Sequence, residues 1–222
     1  TMSNAGEMVV ALNQAQVLYS TSTECYVRDA TGSVVFREMG FMPAIGDVFN
    51  GSVVCRKTQN NYMPQLLVRD DSNLQITRGE TPEAKITELA ALSPADFANK
   101  ILLSGVQLEV SGYAYAVDGG RRVRLSNMLQ VGGITLPEDT DGKLFDVVGI
   151  YGTAERMGVL TDEIYLLSSP VEHTTEGIAV VSQHDYGHDS EARIYNLQGS
   201  RIHSSVLPFG VYLSNGKKIF VK

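Results

Sequence analysis

The body of this chain is written twice, and that limits what it can fold into more than any other feature. Tyr26-Val27-Arg28-Asp29-Ala30-Thr31-Gly32 is answered by Tyr115-Ala116-Val117-Asp118-Gly119-Gly120, the shared tyrosine and aspartate each lying 89 positions apart. Further on, Gly46-Asp47-Val48-Phe49 is answered by Gly142-Lys143-Leu144-Phe145, now 96 positions apart. The order is the same in both copies. A period of this length is far too long for a solenoid unit and suits two small domains of one fold. A chain of 222 residues has room for both, with a short appendage.

Each copy reads as β. A strand runs into an Asp and a Gly-containing turn, and a second alternating run returns from it, which is the grammar of a hairpin. Runs rich in β-branched residues follow at 48–55 and 144–151, then a polar turn, then last strands near 63–68 and 159–166. With opening strands at 9–19 and 101–110, each copy has five, the number of a small Greek-key barrel of the OB type. Helix formers at 87–92, followed by Ser93-Pro94, predict one main helix near 87–98 between the copies. The expected fold is therefore all-β: barrel one over 1–80, barrel two over 81–172, and a small three-stranded sheet in 173–222. The tail strands are expected near 192–196, 210–213 and 218–221, with Asn215-Gly216 as a type I′ turn.

The net charge of -7 is unevenly spread. Residues 1–80 carry six Lys/Arg against eight Asp/Glu, residues 81–172 seven against thirteen, and the tail five against four. An acidic body argues against general nucleic-acid binding, because phosphate neutralisation needs a basic footprint. No apolar run approaches the ~20 residues of a membrane-spanning helix. The first residues lack a basic n-region and an apolar h-region, so the chain reads as mature, trimmed of an export signal, or cytosolic. Cys25 and Cys55 fall on inward strand positions and read as buried free thiols, with a disulfide between them as the alternative.

Ligand surfaces of OB-type barrels lie on the face of the second and third strands and on the loops after the first and fourth. Alternation turns Tyr26 and Arg28 outward in copy one, with Arg37 and Arg56 outward on later strands. Tyr113, Tyr115, Arg122 and Arg124 take the corresponding places in copy two. Aromatic and guanidinium groups on one face suit stacking on a sugar or a base. Ordinary solvated strand residues paired with nearby carboxylates would have the same pattern.

Other constellations are weaker. His184-Asp185-Tyr186-Gly187-His188-Asp189 contains metal-ligand types but reads as a solvated loop. Asp139-Thr140-Asp141-Gly142 lacks the remaining ligands of a calcium loop and reads as a turn. No nucleophile elbow, zinc-protease helix, phosphate-binding loop or dinucleotide fingerprint occurs, so neither a catalytic residue, a metal site nor a cofactor is expected.

Two resemblances add to this reading. Ala192-Arg193-Ile194-Tyr195-Asn196-Leu197-Gln198-Gly199, Leu207-Pro208-Phe209-Gly210-Val211-Tyr212-Leu213 and Ser214-Asn215-Gly216-Lys217-Lys218-Ile219-Phe220-Val221-Lys222 resemble the C-terminal sorting-domain family of Bacteroidetes envelope and secreted proteins. Ile86-Thr87-Glu88-Leu89 with Lys100-Ile101-Leu102-Leu103-Ser104-Gly105-Val106 is similar to the opening of OB-type domains in Bacteroidetes surface proteins, a likeness covering about residues 7–170. The first implies export to the envelope, surface or medium. Together they lead to a non-catalytic binding or adaptor protein, whose partner is an oligosaccharide or a surface protein. A single-stranded nucleic-acid binder is the alternative, by analogy of fold alone.

Overall fold

The computed structural model describes residues 6–60 and 63–174, without the side chains of 59, 60 and 64. Beyond them it describes the backbone of the tail strands at 179–181, 194–195, 201–202, 210–214 and 217–221. Two compact units result, Thr1–His173 and Thr174–Lys222.

The first unit holds both barrels. Barrel one consists of β1 (Glu7–Ser20), β2 (Glu24–Arg28), β3 (Ser33–Arg37), β4 (Asp47–Asn60) and β5 (Met63–Asp70), with β6 (Leu74–Arg78) added along β4. The order is β1-β2-β3-β5-β4, and β4 pairs again with β1 to close the ring. The pair β3–β5 is parallel; the other pairs of the ring are antiparallel. Strand β1 serves both edges because it bends. Its register shifts between Leu12 and Ala15, where Gln14 has φ 52° and both its backbone and side-chain amides donate to Asn50 Oδ1. A bulge of this kind curls a long strand around a small barrel.

Barrel two repeats the plan. After β7 (Lys85–Thr87) come β8 (Lys100–Ser111), β9 (Tyr113–Asp118), β10 (Arg121–Ser126), β11 (Phe145–Arg156) and β12 (Val159–Leu166), followed by β13 (Val171–Glu172). The ring order is β8-β9-β10-β12-β11, closed by β11–β8, with β10–β12 parallel. Two closed five-stranded barrels in OB order are therefore the architecture of the body, as the repeat predicts. Asp139 to Gly142 forms a turn before β11, Asp139 Oδ1 accepting the Asp141 amide at 3.3 Å and Oδ2 facing Lys143 Nζ at 2.9 Å.

Each barrel has its own apolar filling. Phe36, Phe49, Val17 and Val53 occupy barrel one, and Ile101, Leu103, Val147 and Ile164 occupy barrel two. A third cluster joins them: Leu18, Tyr26, Val35 and Met63 from barrel one meet Ala98, Ile150 and Tyr165 from barrel two. The seam is buttressed by Arg28, which donates to Asn99 Oδ1 and to the Glu83 carbonyl, each at 3.2 Å.

The helix expected near 87–98 does not form. The segment makes two single 3-10 turns, Leu89–Ala91 and Pro94–Asp96, after the short strand β7. Ser93 precedes a proline and is held extended at φ -142°, ψ 167°. That breaks the run before a second helical turn can add, while Leu89 and Leu92 are drawn into barrel two. Asp96 closes the second turn as a capping box with Ser93 and accepts a hydrogen bond from Lys85 Nζ at 2.6 Å. Burial pushes the Asp96 carboxyl up, but these donors outweigh it and hold it below the usual carboxylate range. Stability from this group is thus complete above the unfolded carboxyl value of 3.8 and is lost as pH falls through the lower folded value. Thermal unfolding of Asp96→Asn is expected to be less pH-dependent than that of the parent below pH ~4. Parallel pH profiles for the two would contradict this.

The second unit is also β. Its described strands are β14 (Ala179–Val181), β15 (Ile194–Tyr195), β16 (Arg201–Ile202), β17 (Gly210–Ser214) and β18 (Lys217–Val221). They lie in the order β14-β18-β17-β15-β16, five strands rather than the expected three. The three expected ones are β15, β17 and β18. The additions, β14 and β16, are three and two residues long, too short for alternation to show. Ser214 pairs with Lys217; Asn215 and Gly216 lie outside the described residues.

Candidate functional site

Barrel two carries the exposed Tyr/Arg face. In β9 the small Ala114 and Ala116 turn inward, and Tyr113 and Tyr115 turn outward; in β10 Val123 and Leu125 turn inward, and Arg122 and Arg124 outward. The register sets Glu109, Tyr115, Arg124 and Glu163 in one row across β8, β9, β10 and β12. Diagonal neighbours then stack. The Arg122 guanidinium carbon lies 3.5 Å from the centroid of the Tyr115 ring, and that of Arg124 lies 4.1 Å from the centroid of Tyr113. Such contacts hold a long side chain flat against an aromatic face and reduce the entropy that a ligand would otherwise have to freeze.

Beneath this layer sits a buried carboxylate. Glu163 is fully buried and accepts from Ser126 Oγ at 2.8 Å and from Arg156 Nε and Nη2 at 2.9 and 3.2 Å. The Arg124 Nε lies 3.7 Å from Glu163 Oε1, an ion pair too long for a hydrogen bond, and that nitrogen is buried with no hydrogen-bond partner among the described residues. The hydrogen bond to Glu163 raises the Arg156 value further, so this cation does not switch. At the other edge Arg122 Nε meets Glu109 Oε2 at 3.0 Å. Three guanidinium groups are thus answered by two carboxylates. An open groove of about 560 Å3 runs over them, bordered by Tyr115, Arg122, Arg124, Arg156 and Leu160.

Barrel one is different. Alternation places Tyr26 outside its barrel, as expected, yet the residue is only 1% exposed because barrel two covers that side. Its hydroxyl donates to Glu24 Oε2 at 2.8 Å, and burial followed by the Glu24 charge pushes the phenol value upward. Tyr26 is therefore an interface residue between barrels, not part of a solvent face. Arg28 is likewise engaged in the seam. Arg37 and Arg56 flank Leu67 in one row that begins with Glu24 and ends with Glu7, so acids close both ends of that row. Of the eight expected residues, only the four of barrel two come together on one outward face, Tyr113 and Arg122 exposed and Tyr115 and Arg124 half-buried.

Arg156, Glu163 and Ser126 belong to this face and escape sequence reading. Glu163 reaches Arg124 through a parallel strand pair, which spacing does not reveal; the hairpin joining β11 and β12 was the available signal for Arg156.

Other reactive groups lie outside this face. Cys25 and Cys55 are free and buried in barrel one, as expected. Burial, aided by Asp47, pushes the Cys25 thiol up to about 12, and burial pushes Cys55 up to about 11, so both stay protonated. Ser104, Asp146 and His173 also gather: Ser104 Oγ donates to Asp146 Oδ1 at 2.9 Å, and His173 Nδ1 lies 2.8 Å from the same oxygen. Ser104 Oγ also lies 3.4 Å from His173 Nδ1, so hydroxyl and carboxylate meet the same ring nitrogen, whereas a nucleophilic triad uses one imidazole nitrogen for each. The histidine-aspartate stretch at 184–189 lies outside the described residues. Among the described residues no helix is long and apolar enough to cross a membrane. No family model matches the chain, and no curated protein is significantly similar to it.

Proposed function

We propose that the chain is a non-catalytic binding protein of the bacterial envelope, whose second barrel presents its Tyr/Arg face to a neutral oligosaccharide. The observation that carries this reading is the charge-compensated row Glu109–Tyr115–Arg124–Glu163 with its two stacked Tyr–Arg pairs. Flat aromatic and guanidinium surfaces suit the apolar faces of sugar rings, and the carboxylates and guanidinium edges suit their hydroxyls. A phosphate backbone asks instead for uncompensated cations. Here Arg122 pairs with Glu109 while Arg124 and Arg156 share Glu163, which leaves one net positive charge among the three rather than an uncompensated stripe. The envelope location rests on the resemblance of residues 192–222 to sorting-domain endings, and cell fractionation that finds the protein solely in cytosol would end it.

The binding reading is tested with a panel of neutral malto-, cello-, chito- and manno-oligosaccharides beside oligothymidylate, at two salt concentrations. At least one oligosaccharide is expected to bind with an affinity that ignores salt. Tyr115→Ala is expected to weaken it about tenfold, ~1.4 kcal/mol. Oligothymidylate binding that falls steeply with salt and depends on Tyr115 and Arg124 would instead identify a single-strand nucleic-acid binder.

A further inference from the structure

Barrel two does not cover the outer face of barrel one completely. Between the loop joining β1 to β2 and residues 128–130 of barrel two lies a cleft of about 390 Å3, the size of a small-molecule site. Tyr26 and Gln65 line it, the two ends of the row Tyr26–Val35–Gln65 across β2, β3 and β5. That row is the topological counterpart of Tyr115–Arg124–Glu163 in barrel two, with the same strands in the same register. Gln65 stands where Glu163 stands. It is 1% exposed, it lines the cleft, and its Oε1 has no hydrogen-bond partner among the described residues.

A buried acceptor left unpaired is costly, and a ligand that donates to it recovers that cost on binding. The rest of the lining says what kind of ligand. Glu24 already accepts from Tyr26 and faces Arg37 at 3.8 Å, so it presents no uncompensated charge to attract an ion. Thr21, Thr23 and Gln130 add hydroxyl and amide groups, and Met63, Leu129 and Tyr165 add apolar surface. We propose that this cleft binds a neutral, hydroxyl-bearing ring of single-sugar size, one hydroxyl donating to Gln65 Oε1 while the apolar face of the ring meets the methionine and leucine side chains. The cleft and the barrel-two groove have no lining residue in common, so this site stands apart from the reading above.

The test is amide NMR of the full chain titrated with glucose, galactose, mannose and N-acetylglucosamine, with glycerol as control. At least one sugar is expected to give saturable shifts at Thr23, Gln130 and the Gln65 side-chain amide. Gln65→Leu removes the unpaired acceptor at nearly constant shape and should fold; it is expected to weaken the sugar at least tenfold. Thr23→Trp, on an exposed loop, blocks the mouth and should do the same. Tyr115→Ala should leave these shifts intact, which separates failure here from failure on the barrel-two face. The proposal is overturned if no sugar shifts these residues, if the shifts survive both cleft variants, or if glycerol reproduces them as an adventitious additive only.

Discussion

Tyr26→Ala is expected to lower the unfolding free energy by about 3–4 kcal/mol, the cost of deleting a large buried aromatic side chain. The ring fills the seam against Ile150 and Tyr165, and its loss would leave the Glu24 carboxylate without its 2.8 Å donor. The packing penalty falls on the contact between barrels, whereas the lost hydrogen bond lies within β2 of barrel one. Denaturant unfolding of the variant should therefore show a lower midpoint, and the cooperative transition of the parent should begin to split as the barrels uncouple. Sugar binding at Tyr115 should survive below that transition. A Tyr26→Ala protein with parental stability would mean that the barrels are not packed as described.

The second large effect concerns the acid beneath the barrel-two face. Glu163→Gln keeps the shape of the side chain but removes the charge shared by Arg124 and Arg156, and one of its oxygens becomes a donor facing Arg156. Removing one partner of a buried ion pair costs up to ~3–5 kcal/mol, and the partial exposure of the two arginines reduces this to about 2–3 kcal/mol. The face also becomes more basic, since three guanidinium groups then answer to Glu109 alone. The variant is accordingly expected to gain salt-sensitive affinity for oligothymidylate that the parent lacks. Thermal unfolding and binding at two salt concentrations check both halves. Unchanged stability would show that Glu163 does not hold the arginines.

These two residues also mark where sequence reading succeeds and stops. The strand at 159–166, the hairpin around Asp29 and the return near Cys55 were all visible, because alternation and Gly-containing turns are local signals. Alternation also told correctly that Tyr26 leaves its own barrel. It could not tell that a second barrel waits on that side, since packing between domains is not periodic in sequence. The same gap hid Glu163: its partner Arg124 lies across a parallel strand pair 39 positions away. Helix propensity at 87–92 was real but local, and Pro94 together with the burial of Leu89 and Leu92 decided the outcome. Where barrel two faces solvent, alternation was enough, and Tyr113, Tyr115, Arg122 and Arg124 stand together as expected.

The chain contains no tryptophan, so one placed at Tyr113 reports from the barrel-two face alone. The most direct measurement is the fluorescence of full-length Tyr113→Trp during titration with the neutral oligosaccharide panel and with oligothymidylate. A saturable change is expected with at least one oligosaccharide, equal at low and high salt, and lost when Tyr115→Ala is added. Silence with every oligosaccharide, or a response to oligothymidylate that fades as salt rises, would contradict it.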